Sequence, residues 1–263
     1  MFCCKTQGVA MHWFYVKNSQ IKEGKIKITG QDVTHIRQVL RMKAGERVVI
    51  CDGEGTDYYC TLEELGEREV TAKIEQMNAS ESELPMEIYL FQGLPKADKM
   101  EFIIQKAVEL GVHAVIPVAT KRSVVRLDEK KAEKKRERWQ GISEAAAKQS
   151  GRGIIPKVFQ PVSFSEALFM AEEMEIRIIP YEQAEGMALT RKIFDEISRD
   201  AAKGHHKKIA LLIGPEGGFE ETEILQAEEK GVTPISLGKR ILRTETAPLV
   251  VLSALMLSME CSS

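Results

Sequence analysis

Two rhythms of apolar and polar residues divide the chain. Up to about residue 78 the apolar positions come in short runs of period two. "KIKIT" (25–29) alternates strictly, and "ERVVICDGEGTDYYCTLEEL" (46–65) reads as two strands joined by a glycine-bearing turn at Asp52–Asp57. Between them "DVTHIRQVLRM" (32–42) has helical spacing, with Val33, Ile36, Val39 and Leu40 on one face. These runs predict a small β-barrel-like domain over residues 11–78, with a disordered extension at 1–10 (Met11 offers an alternative start). The acidic stretch 79–85 then reads as a linker.

After Pro85 the pattern changes to strands alternating with helices. "MEIYLFQGL" (86–94), "AVIPVAT" (114–120), "PKVFQ" (156–160), "IRIIPYE" (176–182), "KIALLIG" (208–214) and "TPISLG" (233–238) read as strands. "ADKMEFIIQKAVELG" (97–111) predicts a helix with a buried stripe of Met100, Ile103, Ile104, Ala107 and Val108. Asp98 is its expected N-cap, Glu101 completes a box-like start and Gly111 ends it. A long charged helix is expected to about Gln149, and others near 163–174, 187–200, 220–230 and 245–260. This alternation predicts an α/β domain over 86–263 with a mostly parallel, doubly wound sheet.

Composition narrows the class. With 43% hydrophobic and 29% charged residues the chain suits a soluble protein with buried cores. The longest mostly apolar stretch, Ala247–Met259, is too short for a bilayer, and the first residues lack the apolar core of an export signal, so no membrane partner and a cytoplasmic location are expected. The cysteines Cys3, Cys4, Cys51, Cys60 and Cys261 form no C-x-x-C pair and have no histidines at ligand spacing, which predicts reduced thiols and no metal. Cys51 and Cys60 flank the hairpin turn, where they are either separate thiols or near enough to approach each other.

Net charge is −2, but it is unevenly spread. Residues 17–47 hold eight Lys/Arg against three Asp/Glu, and residues 120–157 hold twelve against five. Residues 51–85, between them, carry ten acids and two bases. Separated basic patches are consistent either with surfaces facing a polyanion or with solvated helix faces, the latter suiting "DEKKAEKKRERW" (128–139).

Two loops carry the candidate chemistry. "LLIGPEGGFEETEI" (211–224) runs from a strand through glycines into a helix, the layout that aims backbone N–H groups at a ligand. It matches neither a P-loop nor the G-x-G-x-x-G dinucleotide pattern. Glu216 would repel a polyphosphate, whereas hydroxyls, an adenine or a positive centre suffer no such penalty. Pro215 stiffens the turn, and Gly217 and Gly218 permit close backbone approach; a glycine pair also serves an ordinary tight connection. "SLGKRILRTETAPLV" (236–250) repeats the layout. Pro248 fits only a first helical turn, so the helix begins near Thr244–Thr246, whose hydroxyls can cap it. Arg243 then stands just before a helix N-terminus at the carboxyl end of a strand, as a ligand contact or as an ion-pair partner of Glu245.

Together these two motifs resemble the ribosomal RNA small-subunit methyltransferase E family, uridine-N3 methyltransferases of the SPOUT (trefoil-knot) superfamily. "HIRQVLRMKAGERVVICDGEG" resembles the family's PUA-like RNA-binding barrel, and "GLPKADKMEFIIQKAVELGVHAVIPVATKRSV" and "RWQGISEAAAKQSGR" its central blocks. Family members carry arginine where this chain has Trp13, and often serine where it has Glu220. The resemblance implies a C-terminal α/β trefoil-knot domain behind a small PUA-like β-barrel. It also implies S-adenosyl-L-methionine bound in a bent form, and a homodimer whose active sites draw on both subunits. Its implied cofactor residues are Gly214, Pro215, Glu216, Gly217, Gly218, Leu237, Gly238, Ile241, Leu242, Arg243 and Thr246, with Pro180–Glu182 as a third wall. Arg243, with Arg152 as second candidate, would stabilise the charge that develops on the uracil. The general base stays open between Glu216, Glu245 and bulk water. The implied partner is 16S ribosomal RNA within the small subunit, met by Arg37, Arg41, Lys43, Lys121, Arg122 and Arg126. Another knotted RNA methyltransferase acting on a ribose 2′-hydroxyl or another base, and a non-catalytic RNA-binding protein, are the competing readings.

Overall fold

The computed structural model describes residues 11–125, 127–184 and 186–260; the extension expected at 1–10 lies outside them. The chain divides into two compact units. One holds the residues up to Glu83 together with Ala147–Ile155, and the other holds Leu84–Ala146 and the residues from Pro156 onward.

In the first unit β1 (His12–Tyr15), β2 (Ile21–Lys22), β3 (Lys25–Thr29), β4 (Arg47–Cys51), β5 (Thr56–Leu65) and β6 (Glu69–Ala79) form one sheet in the order β1-β4-β5-β6-β3-β2. Only β1 and β4 run parallel. Alternation in "KIKIT" buries Ile26 and Ile28 and turns Lys25 and Lys27 outward to Glu63 and Glu69. The helix expected at 32–42 is a single α-turn, α1 (Gln31–Thr34), followed by a π-type turn over His35–Val39. The Leu40 amide reaches back five residues to the His35 carbonyl (2.9 Å). That extra residue per turn rotates Val39 into solvent, 68% exposed, while Val33 and Ile36 stay buried.

The segment 147–155, which the sequence pattern places in the second domain, closes this unit. The Tyr15 hydroxyl lies within hydrogen-bond reach of the Ala147 and Arg152 carbonyls. The Cys51 thiol donates to the Gly153 carbonyl at 3.1 Å, and the Ile155 amide donates to Gly53. Cys51 faces Asp57 in the β4–β5 register and Cys60 faces Val48, so the two sulfurs are not paired; both thiols are free and buried.

In the second unit β7 (Glu87–Gly93) leads to α2 (Lys99–Glu109), β8 (Ala114–Ala119) and α3 (Glu129–Ser150), whose last turn belongs to the first unit. Then come β9 (Lys157–Val158), β10 (Val162–Ser163), α4 (Phe164–Ala171), β11 (Ile176–Pro180) and α5 (Ala188–Ala202). β12 (Lys208–Ile213), α6 (Glu221–Glu229), β13 (Thr233–Ile235) and α7 (Thr246–Glu260) complete it. The strand order is β10-β8-β7-β12-β11-β13, with β9 also on β8, and every pair is parallel. The strand expected at 156–160 shrinks to two residues at this edge.

Burial explains why the central strands read as unbroken apolar runs. Phe91, Ile116 and Leu212 pack with Phe164 and Leu168 of α4 and Ile224 of α6. The α2 stripe is buried as expected, with α2 and α5 packed against α7. Asp98 occupies the N-cap of α2 but makes no side-chain cap, and Glu101 pairs with Arg138 (2.8 Å) instead of closing a box. The chain steps from β7 outward to β8, then crosses to β11 and inserts β12 beside β7. The carboxyl ends of β7 and β12 therefore flank the switch point where such sheets open a crevice.

Burial pushes the Cys51 and Cys60 thiols up to about 12. Since the thiolate is the reactive form, both should resist iodoacetamide at pH 8 in the folded protein and react readily once it is unfolded, as read by peptide mass mapping. Fast labelling of either in the folded chain would contradict their burial.

Candidate functional site

At the carboxyl ends of β11, β12 and β13 lies a cleft of about 510 Å³. Its walls are the glycine loop 214–218, Pro180–Glu182 and the loop 236–244. Gly218 (φ 67°) and Gly238 (φ 100°) adopt backbone conformations that favour glycine. The glycine loop seats on β7 because β7 ends in Gly93. A Cβ there would stand 2.7 Å from the nitrogen and Cδ of Pro215.

The two C-terminal loops are tied by buried hydrogen bonds. The Thr244 hydroxyl donates to the Gly214 carbonyl (2.7 Å) and accepts from Nε2 of Gln92 (3.1 Å). It therefore does not cap α7, as the sequence suggested; the Thr246 and Ala247 amides donate to the Arg243 carbonyl (2.8 and 3.0 Å). A second tie is ionic. Lys99, the first residue of α2, places Nζ 3.1 Å from Glu216 and 3.1 Å from Glu245, and the Lys96 amide donates to Glu216 (3.1 Å).

Burial raises the pKa of both carboxyls, but the bonds outweigh it. Glu216 is held below its ordinary value by its own amide, Lys99 and the Lys96 amide, and Glu245 by its own amide and Lys99. Neither has the basicity that a proton acceptor near neutral pH calls for. Their clamp on Lys99 is complete above the ordinary carboxyl value of 4.5 and is lost as pH falls through the depressed folded values. Arg243, by contrast, is 82% exposed and lies 3.9 Å from Glu245.

Gly214, Pro215, Glu216, Gly217, Gly218, Leu237, Gly238, Ile241, Leu242 and Arg243 all line the cleft. Thr246 stands exposed at the start of α7, and the lining threonine is Thr244. Lys121 and Arg122 are not free cations. Lys121 pairs with Glu220 (3.2 Å) and reaches the Thr222 hydroxyl (2.8 Å), and Arg122 donates to the Gly217 carbonyl (2.8 Å). Buried Glu223 accepts from the Glu220 and Lys121 amides (both 2.9 Å), fixing the start of α6 without a serine. Arg37, Arg41 and Lys43 are exposed in the first unit, and Arg126 lies outside the described residues.

Arg152 is only 3% exposed and lies in the first unit. It grips Glu83 through Nε (3.2 Å) and a second nitrogen, and it does not line the cleft. Sequence reasoning missed Gly93, Gln92 and Lys99, and read Thr244 as a helix cap when it ties the two loops. Only Gly93 carried a signal, a glycine in an otherwise apolar strand that marks close backbone approach. Among the described residues no group of side chains suits a metal ion.

Residues 82–256 match the RNA methyltransferase domain family and residues 28–75 the RNA methyltransferase PUA domain family. Ribosomal RNA small subunit methyltransferase E of Bacillus subtilis is 39% identical over 93% of this chain and 94% of its own. The chain belongs to the ribosomal RNA small subunit methyltransferase E family. The Synechocystis member is 33% identical over 90% of this chain and 75% of its own. A crystal structure of the Neisseria gonorrhoeae member bound to S-adenosyl methionine superposes with a TM-score of 0.74 at 32% identity, covering 93% of this chain and 96% of that one. The first unit thus corresponds to the PUA-like domain, and the all-parallel α/β second unit to the SPOUT methyltransferase domain, that the resemblance implied.

The bare surface of Gly93 predicts a paired experiment within this family fold. Gly93→Ala would force the glycine loop off β7 and lower the melting temperature by several degrees, as overpacking costs about 1–3 kcal/mol. Gly141→Ala, in mid-α3 with nothing within 4 Å of the new methyl, should leave it unchanged or raise it. Equal melting temperatures for Gly93→Ala and the parent chain would remove the close-approach argument.

Proposed function

We propose that the chain transfers a methyl group from S-adenosylmethionine to N3 of a uridine in 16S ribosomal RNA, acting as a cytoplasmic homodimer on the small subunit. Family membership and the cofactor-bound relative support the coarser part of this reading. The cleft supports the cofactor. A Cβ on Gly218 or Gly238 would meet nothing within 4 Å, leaving room for a ligand beside the two loops. Leu237, Ile241 and Leu242 supply apolar wall for an adenosine, and Glu216 supplies negative charge toward a sulfonium.

S-adenosylmethionine supplies a methyl group made electrophilic by its sulfonium. The chain's own task is to align the acceptor and stabilise the charge uracil gains when N3 loses its proton. Arg243 is suited to that task because its guanidinium is exposed and only loosely paired beside the glycine loop; this is the observation that carries the reading. A preorganised donor of this kind contributes about 3–4 kcal/mol. With Glu216 and Glu245 held as weak bases by Lys99, the N3 proton passes to solvent. Arg37, Arg41 and Lys43 are exposed cations suited to the RNA backbone; Arg126 would be a further contact, and Lys121 and Arg122 would reach it only by leaving their partners Glu220 and the Gly217 carbonyl. We assign Arg152 a structural role, against its place as second catalytic candidate.

The deciding assay is transfer from labelled S-adenosylmethionine to small subunits and to naked 16S RNA, followed by nucleoside analysis. A single 3-methyluridine, stronger on assembled subunits, is expected; label in a ribose or another base would overturn the acceptor. Arg243→Ala should lower kcat by about 100-fold or more while cofactor affinity changes less than about threefold. Equal loss in both would leave Arg243 a binding residue. Raising salt should weaken RNA binding steeply.

A further inference from the structure

Glu245 stands between two cations. One oxygen lies 3.1 Å from Lys99 Nζ and the other 3.9 Å from the Arg243 guanidinium. The pair with Lys99 is a half-buried contact, with side chains 32% and 19% exposed, so it is stronger than a pair with the solvated Arg243. Lys99 also binds Glu216, so one ammonium joins the glycine loop to the segment leading into α7. Its position runs against helix stability, because a cation in the first turn faces the positive end of the helix dipole. A residue that breaks a local rule while holding two loops of a ligand cleft has a role outside its own helix.

We propose that Lys99 is a positioning residue that keeps Arg243 available by holding Glu245 away from it, an inference that rests on the methyl-transfer reading above. Removing the ammonium leaves Glu245, whose side chain is 19% exposed, without its nearest cation. The nearby guanidinium of Arg243, two residues back in the chain, is the next cation within reach. Glu245 then draws Arg243 inward and neutralises it. Lys239 and Arg240 line the same cleft and are the competing partners for the released carboxylate.

The test compares Lys99→Met, Lys99→Arg, Glu245→Gln and the double variant Lys99→Met/Glu245→Gln. The first readout needs no cofactor: the rate at which phenylglyoxal modifies Arg243 in the ligand-free protein, followed by peptide mapping. In the parent chain Arg243 should react as an exposed arginine. Lys99→Met should slow it at least about fivefold, and both Lys99→Arg and the double variant should restore it. The second readout separates kcat from affinity. Lys99→Met should lower kcat about tenfold with S-adenosylhomocysteine affinity changed less than about threefold, and Glu245→Gln should relieve that loss in the double variant.

Unchanged Arg243 reactivity in Lys99→Met, or slowed Arg240 in its place, would overturn the proposal. So would a loss of affinity and melting temperature that Glu245→Gln does not relieve, which would make Lys99 a structural clamp only. Should the parent chain transfer no methyl group to RNA, the methyl-transfer reading falls, while the reactivity of Arg243 still decides whether Lys99 governs its exposure.

Discussion

The Thr244 hydroxyl uses both of its hydrogen-bonding roles to connect three parts of one sheet edge. It accepts from Gln92 at the end of β7 and donates to Gly214 at the end of β12, while its own backbone belongs to the loop that follows β13. A parallel sheet delivers the ends of these strands to the same side, but β11 lies between β12 and β13 in the sheet. Without a tie the two loops would be free to move independently. Gln92 and Thr244 are both buried, so breaking the relay would strand polar groups at about 1–3 kcal/mol each. The seat of Pro215 on Gly93 and the placement of Arg243 follow from that alignment.

On this frame the charges are arranged by distance. Glu216 stands where a nucleotide-binding loop would admit a phosphate, and it is tolerable there because Lys99 and the Lys96 amide hold it. Lys121 and Arg122 are engaged as well, one with Glu220 at the start of α6 and one with the Gly217 carbonyl of the loop. The cations that look like an RNA surface in sequence are thus divided. Some brace the cleft, and others, such as Arg37, Arg41 and Lys43, are exposed in the first unit.

The parallel sheet was legible in the sequence because burial on both faces demands unbroken apolar runs such as "KIALLI", and α2 was legible because only one of its faces is buried. The glycine loops announced themselves through residues with special backbone freedom. What stayed hidden depends on partners far along the chain. Gln92 and Thr244 are 152 positions apart, and nothing local to either names the other. Arg152 sits in a glycine-flanked stretch that looks like an exposed loop, yet Glu83, 69 positions earlier, holds it in the interior. The π-type turn was illegible for a different reason: "HIRQV" suits an α-turn equally well, and one inserted residue per turn leaves no mark on the pattern.

The chain leaves the first unit at Glu83 and comes back at Ala147–Ile155 before leaving again. This return visit makes the first unit a discontinuous module. A fragment severed just after Glu83 would keep all six strands of the sheet. It would nevertheless leave the Tyr15 hydroxyl, the Cys51 thiol and the Glu83 carboxylate without the groups that satisfy them. Shuffling such a unit between proteins as a single cassette is therefore barred by its wiring, and changes in the return segment are inherited by the barrel as much as by the stretch of chain that surrounds them in sequence.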